Sequence, residues 1–213
     1  METTKTLRRR AREGDPDAQF RLGYCLAFNR ARARPNWKSA ADWWDRAARS
    51  GHGRAYFYLG TCFDFGRGRA RDAKLAAYLY RLAAAAGNEA AQYNLGLMYR
   101  DGVGVRRSAR AAFRWFQKAA RSGDMDAASD LGYCYHEGTG TNKDLPAAVR
   151  YYRLAARGGV LRAQFNLGLC YLDGDGVRFS RSLGLEWLRK AARRGHKRAS
   201  NVIRRFRRPK QGG

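Results

Sequence analysis

Glycine recurs at a nearly constant interval along this chain of 213 residues. The successive spacings are 37, 36, 36, 36 and 36 residues, and the positions are Gly14, Gly51, Gly87, Gly123, Gly159 and Gly195. Each of the first five glycines is followed by a segment that contains Leu-Gly, as in AQFRLGYCL and AQYNLGLMY. A fixed period of this length predicts stacked structural repeats, each of which buries its apolar face only against its neighbours.

Each repeat has the pattern of two helices, which we name A and B. In the first helix A, Ala18, Leu22 and Cys25 fall on one helical face, and Leu26 lies at its flank. The glycine after the leucine lets helix B approach closely, because it has no side chain. Helix B carries a small residue, two large apolar residues and an Ala-Ala pair, which in the first repeat are Ala40, Trp43, Trp44, Ala47 and Ala48.

The connection from helix A to helix B contains a Gly-x-Gly element in four repeats, as in DGVGVRRS and EGTGTNKD. The first repeat departs from this pattern, because its connection NRARARPN has neither glycine. A good N-cap residue precedes every helix B, which predicts five marked starts at Asn36, Asp72, Ser108, Asp144 and Ser180. Asp15, Asn88 and Asp124 are expected to cap A helices in the same way.

The two ends of the chain look like caps on this array. Leu7 and Ala11 are in the register of helix B, so residues 1–13 are expected to form a partial preceding helix. The five repeats span residues 14–194, divided as 14–50, 51–86, 87–122, 123–158 and 159–194. A basic helix over residues 195–208 is expected to cap the other end, and residues 209–213 are expected to be a disordered tail.

The repeat unit resembles a known family. Its Leu-Gly-x-x-Tyr core is similar to the tetratricopeptide pattern, but the longer period and the Gly-x-Gly turn together resemble the Sel-one-like repeat (SLR) family. The third and fifth repeats match best, through Leu95-Gly96 and Tyr99, and through Leu167-Gly168 and Tyr171. The resemblance implies an all-α fold, a right-handed α/α solenoid of helix-turn-helix repeats of about 36 residues. It also implies adaptor or scaffold work, and in bacteria a role as a regulator or as an immunity protein that occludes a toxin.

Charge is the strongest feature of the composition. The chain has 43 Lys and Arg against 18 Asp and Glu, a formal net charge of +25, yet 45% of its residues are hydrophobic. This hydrophobic content excludes a wholly disordered basic chain. No window approaches the roughly 18 apolar residues of a membrane span, and the N-terminal sequence lacks the apolar core of a secretory signal. We therefore expect a cytoplasmic protein that does not contact a membrane.

The residues that usually carry chemistry show no catalytic or metal-binding pattern. His52, His136 and His196 are not at metal-ligand spacing and are expected to be exposed turn residues. The four cysteines, Cys25, Cys62, Cys134 and Cys170, share one helix A position and are expected to be small buried residues. One cysteine per repeat also differs from the paired cysteines of the secreted branch of the SLR family.

The Gly-x-Gly turns are not phosphate-binding loops, because no Gly-Lys-Ser/Thr follows any of them. Paired carboxylates such as Asp173 and Asp175 recur at turn and cap positions, which favours a structural role. The sequence therefore predicts a protein that is not an enzyme and that has no cofactor and no metal.

The face of helix A opposite helix B is the candidate binding surface, since in tetratricopeptide-like arrays it lines a concave groove. Its aromatic, apolar and arginine side chains have the composition of a protein interface. We expect the aromatics to anchor a partner and Arg54, Arg100 and Arg162 to bind its carboxylates. The alternative for Phe20 and its equivalents is packing between successive A helices. The predicted partner-binding residues are Tyr24, Arg54, Phe57, Tyr93, Leu97, Arg100, Tyr133, Arg162 and Phe165.

Two hypotheses for function follow from this surface and from the charge. The net charges of the five repeats are +3, +4, +5, −1 and +4, so the positive field is spread along the array except in the fourth repeat. The first hypothesis is a non-catalytic module that holds an acidic protein partner in its concave groove. The alternative is nucleic-acid binding through Arg106, Arg107, Arg204, Arg205, Arg207 and Arg208.

Overall fold

The computed structural model describes residues 3–28 and 34–207, and the side chains to residue 205. These residues form twelve α-helices. The bounds are α1 Thr4–Arg12, α2 Pro16–Phe28, α3 Trp37–Arg49, α4 Gly53–Phe65, α5 Ala73–Ala85, α6 Glu89–Asp101, α7 Ala109–Arg121, α8 Met125–Glu137, α9 Leu145–Arg157, α10 Leu161–Asp173, α11 Arg181–Arg193 and α12 Lys197–Arg207. The fold is therefore the predicted all-α repeat fold, with A helices α2, α4, α6, α8 and α10 and B helices α3, α5, α7, α9 and α11.

The chain divides after Ser108 into two compact units. In the first unit, α2 packs against α3 and α4 packs against α5. In the second unit, α8 packs against α9 and α10 packs against α11. In these four pairs the A helix therefore forms a hairpin with the B helix that follows it in the sequence.

Side-chain caps begin most of these helices, as the sequence predicts. Asn36, Asp72, Asp144 and Ser180 each accept a hydrogen bond from the backbone N–H three residues later, at 2.8–3.4 Å. Asp15, Asn88 and Asp124 do the same for A helices. These bonds satisfy N–H groups that the helix itself leaves unpaired. The cap predictions are therefore confirmed at these seven positions, and α7 begins directly after Ser108.

In four repeats the glycine that follows the helix A leucine lies against a large side chain of helix B, as it does at Gly23, Gly60, Gly132 and Gly168. A methyl group added to Gly132 would lie 2.5 Å from the Tyr152 ring, and one added to Gly23 would lie 2.6 Å from the Trp44 indole. The predicted close approach of the two helices is therefore confirmed. Trp44 and Tyr152, both almost fully buried, fill the space that these glycines leave.

Of the two large residues in helix B, the second enters the core, and the first lies at its edge in every repeat but the second, where Leu79 is buried. The second position holds the buried residues Trp44, Tyr80, Phe116, Tyr152 and Leu188. Three tryptophans at the first position are half-buried, and a cation one helical turn later covers each ring. These pairs are Trp43 with Arg46, Trp115 with Lys118 and Trp187 with Lys190, at 4.3–4.9 Å. The cations thus shield apolar rings from solvent at the surface of helix B.

The first and last helices lie against the repeats beside them. In α1, Leu7 and Ala11 are buried with Ala18 and Leu22 of α2. In α12, Ala199 is buried with Leu188 and Ala191 of α11. The turn of the first repeat and the expected tail at 209–213 lie wholly or partly outside the described residues.

Candidate functional site

An aromatic cluster with two exposed rings lies on the A-helix face of the first unit. Tyr24 is 41% exposed, and its ring lies 4.8 Å from that of Phe28 and 5.7 Å from that of Tyr58. Phe28 is equally exposed and contacts Trp37 edge-on. The predicted anchors include Tyr24 but not Phe28, although the spacing of four residues places both on one helical face. Exposed aromatic side chains held by buried neighbours are typical anchors of protein interfaces.

Phe20 packs between two helices and is not exposed, which confirms the alternative considered for it. Its ring stacks on His52 at 4.7 Å, and the Arg54 guanidinium lies 4.6 Å from the ring centre. His52 also accepts a hydrogen bond from the Ala55 N–H at 3.2 Å and so caps α4. The predicted partner-binding residue Arg54 is therefore already in contact with an aromatic ring of its own chain.

The same arrangement recurs at Phe165 in the second unit. Phe165 is 5% exposed, stacks on His196 at 4.6 Å and lies 5.1 Å from the Arg198 guanidinium. His196 caps α12 through the Ala199 N–H. Phe165 is thus covered by side chains of the same chain, so it does not offer a partner the exposed ring that we expected. His52 and His196 are half-buried cap residues, whereas the sequence predicted exposed turn histidines.

The other two predicted arginines are paired with carboxylates of the chain. Arg100 donates two hydrogen bonds to Asp101, at 2.8 and 2.9 Å, and these bonds lower the pKa of that carboxyl. Arg162 forms ion pairs with Asp126 at 3.3 Å and with Asp130 at 3.0 Å. These arginines therefore order the A-helix face, since their guanidinium groups already have carboxylate partners.

The remaining predicted residues differ in exposure. Phe57, Tyr93 and Leu97 are half-buried on α4 and α6 of the first unit. Tyr133 on α8 of the second unit is 51% exposed. Its neighbour His136 lies between Glu137, at 2.8 Å, and Asp175, at 3.3 Å. Tyr24 and Tyr133 are thus the most accessible of the predicted aromatic anchors.

The sequence model of the Sel1 repeat family matches residues 16–52, 53–88, 89–124, 126–160 and 161–196. The chain belongs to the Sel1 repeat family. Sel1 repeats typically mediate protein–protein interaction, and the family is generally a non-catalytic scaffold. The comparison with curated proteins found no match.

Solved structures of Sel1-like proteins share this fold. The protective antigen c5321 from uropathogenic Escherichia coli, described as displaying an SLR fold, matches with a TM-score of 0.87 and 32% identity over 93% of this chain. This chain spans 42% of the length of that protein. A Sel1 repeat protein from Oxalobacter formigenes matches with a TM-score of 0.81 and 29% identity, covering 94% of this chain and 77% of the other.

A more distant match is the immunity protein PA5088 from Pseudomonas aeruginosa. Its TM-score is 0.52 and its identity is 22%, over 86% of this chain and 66% of the other. A structural match at 22% sequence identity shows that the two proteins share a fold. These neighbours place the chain among α/α solenoids built from Sel1 repeats.

Charge is divided between the two kinds of Sel1 helix. The five A helices together carry four Lys and Arg residues and eight Asp and Glu residues. The five B helices carry sixteen Lys and Arg residues and three Asp and Glu residues. All sixteen basic side chains except Arg153 are exposed. Among the repeat helices the basic residues therefore belong mainly to the B helices, whereas the sequence-based hypothesis placed the site for an acidic partner in a groove lined by the A helices.

The arginines of the nucleic-acid hypothesis are dispersed. Arg106 and Arg107 are exposed in the turn after α6, and Arg107 donates to the Arg100 carbonyl at 3.1 Å. Arg204 and Arg205 are exposed on α12. Arg207 ends α12, and Arg208 lies outside the described residues. The structure places Arg204 and Arg205 on one helix of the second unit, whereas Arg106 and Arg107 belong to the first unit.

The described residues contain neither a metal site nor a membrane span. Among residues 3–28 and 34–207, no three His, Cys, Asp or Glu side chains are grouped as metal ligands. None of the described helices has the length and apolar character that a bilayer crossing requires.

Three cysteines are buried and one is exposed. Cys62, Cys134 and Cys170 are buried as predicted, but Cys25 is exposed. The prediction is wrong for Cys25 because α1 is four residues shorter than a B helix and begins only at Thr4, so the end of α2 has less cover. Burial raises the pKa of the Cys62 thiol to about 11 and that of Cys170 to about 12.

We expect Cys25 to be the one thiol that reacts rapidly with a maleimide at neutral pH. At pH 7 a thiol with a pKa of about 11 is a thiolate in on the order of one molecule in ten thousand, and burial also blocks access to it. Mass spectrometry of the native protein should show one rapid addition, and the other thiols should react about 100-fold more slowly. Cys25→Ser should remove the rapid addition, and two rapid additions in the native protein would contradict the burial described above.

Proposed function

We propose that this chain is a non-catalytic protein-interaction module of the adaptor, regulator or immunity type, which binds its partner on the A-helix faces. The observation that carries the proposal is the exposure of Tyr24 and Tyr133 on those faces. Both rings stand on helices fixed by buried contacts, so they lose little side-chain freedom when a partner binds. The immunity role is named for PA5088, which shares the fold.

The A-helix faces suit a protein partner because two of their arginines are paired within the chain. Arg100 is bonded to Asp101, and Arg162 is bonded to Asp126 and Asp130. A partner can therefore cover these two arginines without leaving them buried and unpaired. We propose that the aromatic rings supply most of the binding energy, and that the ion pairs fix the shape of the surface around them.

The test is affinity purification of partners with the full chain as bait, followed by quantitative mass spectrometry. Tyr24→Ala and Tyr133→Ala should each reduce capture of the specific partner about tenfold or more, as expected for an interface anchor. Tyr78→Ala is the matched control, because Tyr78 is 48% exposed but lies on helix B in α5. Capture by this control should equal that of the unchanged protein.

Two results would contradict the proposal. If the same partner were captured undiminished by Tyr24→Ala and by Tyr133→Ala, the A-helix assignment would be wrong. If Tyr78→Ala alone reduced capture, the aromatic anchors of the partner would lie on the B helices instead of the A helices. Circular dichroism of each variant should show unchanged helix content, since all three rings are substantially exposed.

A further inference from the structure

The B helices of the second unit form a surface with almost no acidic residue. Helices α7, α9 and α11 carry eleven Lys and Arg residues and one acidic residue, Glu186. Glu186 is paired with Lys190 of the same helix at 2.8 Å, which lowers the pKa of its carboxyl. Such a surface attracts acidic partners and speeds their encounter. A specific site on it, however, needs basic groups held at fixed positions.

One cavity on this surface is lined by two arginines whose backbone positions are fixed on the same helix. It lies between α7 and the turn at residues 138–142 and has a volume of about 700 Å³. Arg110 and Arg114 line it from α7, together with Gln117, and Asn142 lines it from the turn. The two arginines are one helical turn apart, about 6 Å along the axis. No Asp or Glu lines the cavity, so its positive charge is not neutralised there.

The turn of one repeat meets helix B of the repeat before it, and we call this contact a junction. The junction at α3 in the first unit has an acidic residue at a position where the cavity at α7 has none. There the turn glycine Gly68 lies against the Trp37 carbonyl, as Gly140 lies against that of Ala109. Across that junction Arg69 of the turn donates to Asp42 of α3 at 2.6 Å. The residues equivalent to Asp42 and Arg69 are Arg114 and Thr141. The backbone arrangement is thus repeated, but the internal carboxylate is replaced by a second arginine.

The other two described junctions of this kind do not repeat the pair. The positions of Arg110 and Arg114 are occupied by Lys74 and Tyr78 in the second repeat, and by Pro146 and Arg150 in the fourth. Among the four junctions that the structure describes, the arginine pair is therefore specific to α7. Paired guanidinium groups bind carboxylates through two parallel hydrogen bonds each, which fixes the geometry as well as the charge.

The aromatic rings near the cavity favour an acidic protein segment over a nucleic acid. Phe113 packs edge-on against Tyr135 at 5.3 Å, and Tyr135 stacks on Tyr151 at 5.6 Å. These rings are already packed against one another, whereas single-stranded nucleic acid is held largely by bases stacked on accessible rings. Carboxylates require only the guanidinium and amide donors that line the cavity.

We propose that the cavity between α7 and the turn at 138–142 binds two carboxylates of an acidic segment of the partner protein, through Arg110 and Arg114. The inference rests on the proposed function and names the chemistry of the partner. It assigns recognition of acidic groups to the B-helix surface, while the aromatic anchors lie on the A helices.

The test uses the full chain and a fluorescein-labelled oligoglutamate peptide, with binding followed by fluorescence anisotropy at physiological salt. Arg110→Gln combined with Arg114→Gln should weaken binding about tenfold or more, because both charge-assisted contacts are lost. Arg150→Gln combined with Arg157→Gln is the matched control, since it removes the same charge from exposed positions on α9. This control should weaken binding by about twofold at most. Arg110→Lys combined with Arg114→Lys keeps the charge and should still weaken binding severalfold, because lysine cannot bind in bidentate fashion.

Three outcomes would overturn the inference. Equal weakening by the two glutamine pairs would mean that the peptide responds only to the general positive field. Tighter binding of an RNA oligonucleotide of equal charge, lost in the Arg110→Gln and Arg114→Gln protein, would assign the site to nucleic acid. Absence of oligoglutamate binding would also overturn it. These variants leave Tyr24 and Tyr133 unchanged. Failure of the peptide-binding experiment is therefore distinguishable from failure of the partner-capture experiment.

Discussion

Trp44→Ala is expected to lower the free energy of unfolding by about 3–5 kcal/mol. The Trp44 side chain is fully buried, and its indole lies against Gly23 of α2 and 5.1 Å from the Tyr58 ring of α4. Its Nε1–H donates to the Phe20 carbonyl at 3.2 Å, so the substitution also removes one buried hydrogen bond between α3 and α2. The measurement is urea denaturation of the full chain, followed by circular dichroism.

The adjacent tryptophan provides the control for this experiment. Trp43 is half-buried at the edge of the core, and Arg46 covers its ring at 4.7 Å. Trp43→Ala removes the same number of atoms but leaves a smaller cavity, so we expect a loss of about 1–2 kcal/mol. Equal losses for the two variants would show that the second aromatic position of helix B is not the centre of the core.

The repeat period and the local sequence were sufficient to predict the fold. The glycine period located the four hairpins described above, and the Asx and Ser residues located seven helix starts, because these features depend on backbone conformation within a few residues. The exposed position of Cys25 could not be predicted by register alone. The exposure of Cys25 depends on the length of α1, which packs against α2. The sequence at the cysteine position is similar in the other repeats and does not show this difference.

The candidate site was less predictable because its contacts cross repeat boundaries. The stacking of His52 on Phe20 joins residues 32 positions apart, and the pairing of Arg162 with Asp126 joins residues 36 positions apart. The helix A register placed Phe20, Asp126 and Arg162 on the groove face and His52 in a turn, but it did not show that these side chains contact one another. The sequence could have shown one further feature. Charge counted by helix separates the basic B helices from the A helices, whereas charge counted by repeat averages the two.

The second large effect is expected for the turn between α8 and α9. Gly140 has a φ of 76°, a left-handed conformation that costs alanine about 1–2 kcal/mol. A methyl group at this position would also lie well inside van der Waals contact with the Ala109 carbonyl, which belongs to the backbone and cannot rotate away. Gly140→Ala is therefore expected to destabilise the second unit by about 2–5 kcal/mol, the sum of this strain and of overpacking.

Gly138→Ala separates the two contributions, because the two glycines of the turn have similar backbone angles and different surroundings. Gly138 has a φ of 71°, but a methyl group there would lie no closer than 3.3 Å to the Lys143 nitrogen. We expect this variant to lose only the conformational cost of about 1–2 kcal/mol. Thermal and urea denaturation of both variants would measure the difference. If the two losses were equal, the close contact with Ala109 would contribute nothing, and the second glycine of the Gly-x-Gly turn would be required only for its backbone angle. If Gly140→Ala is the more damaging, the turn of one repeat is fixed by direct contact with helix B of the repeat before it, which is also the contact that forms the arginine-lined cavity.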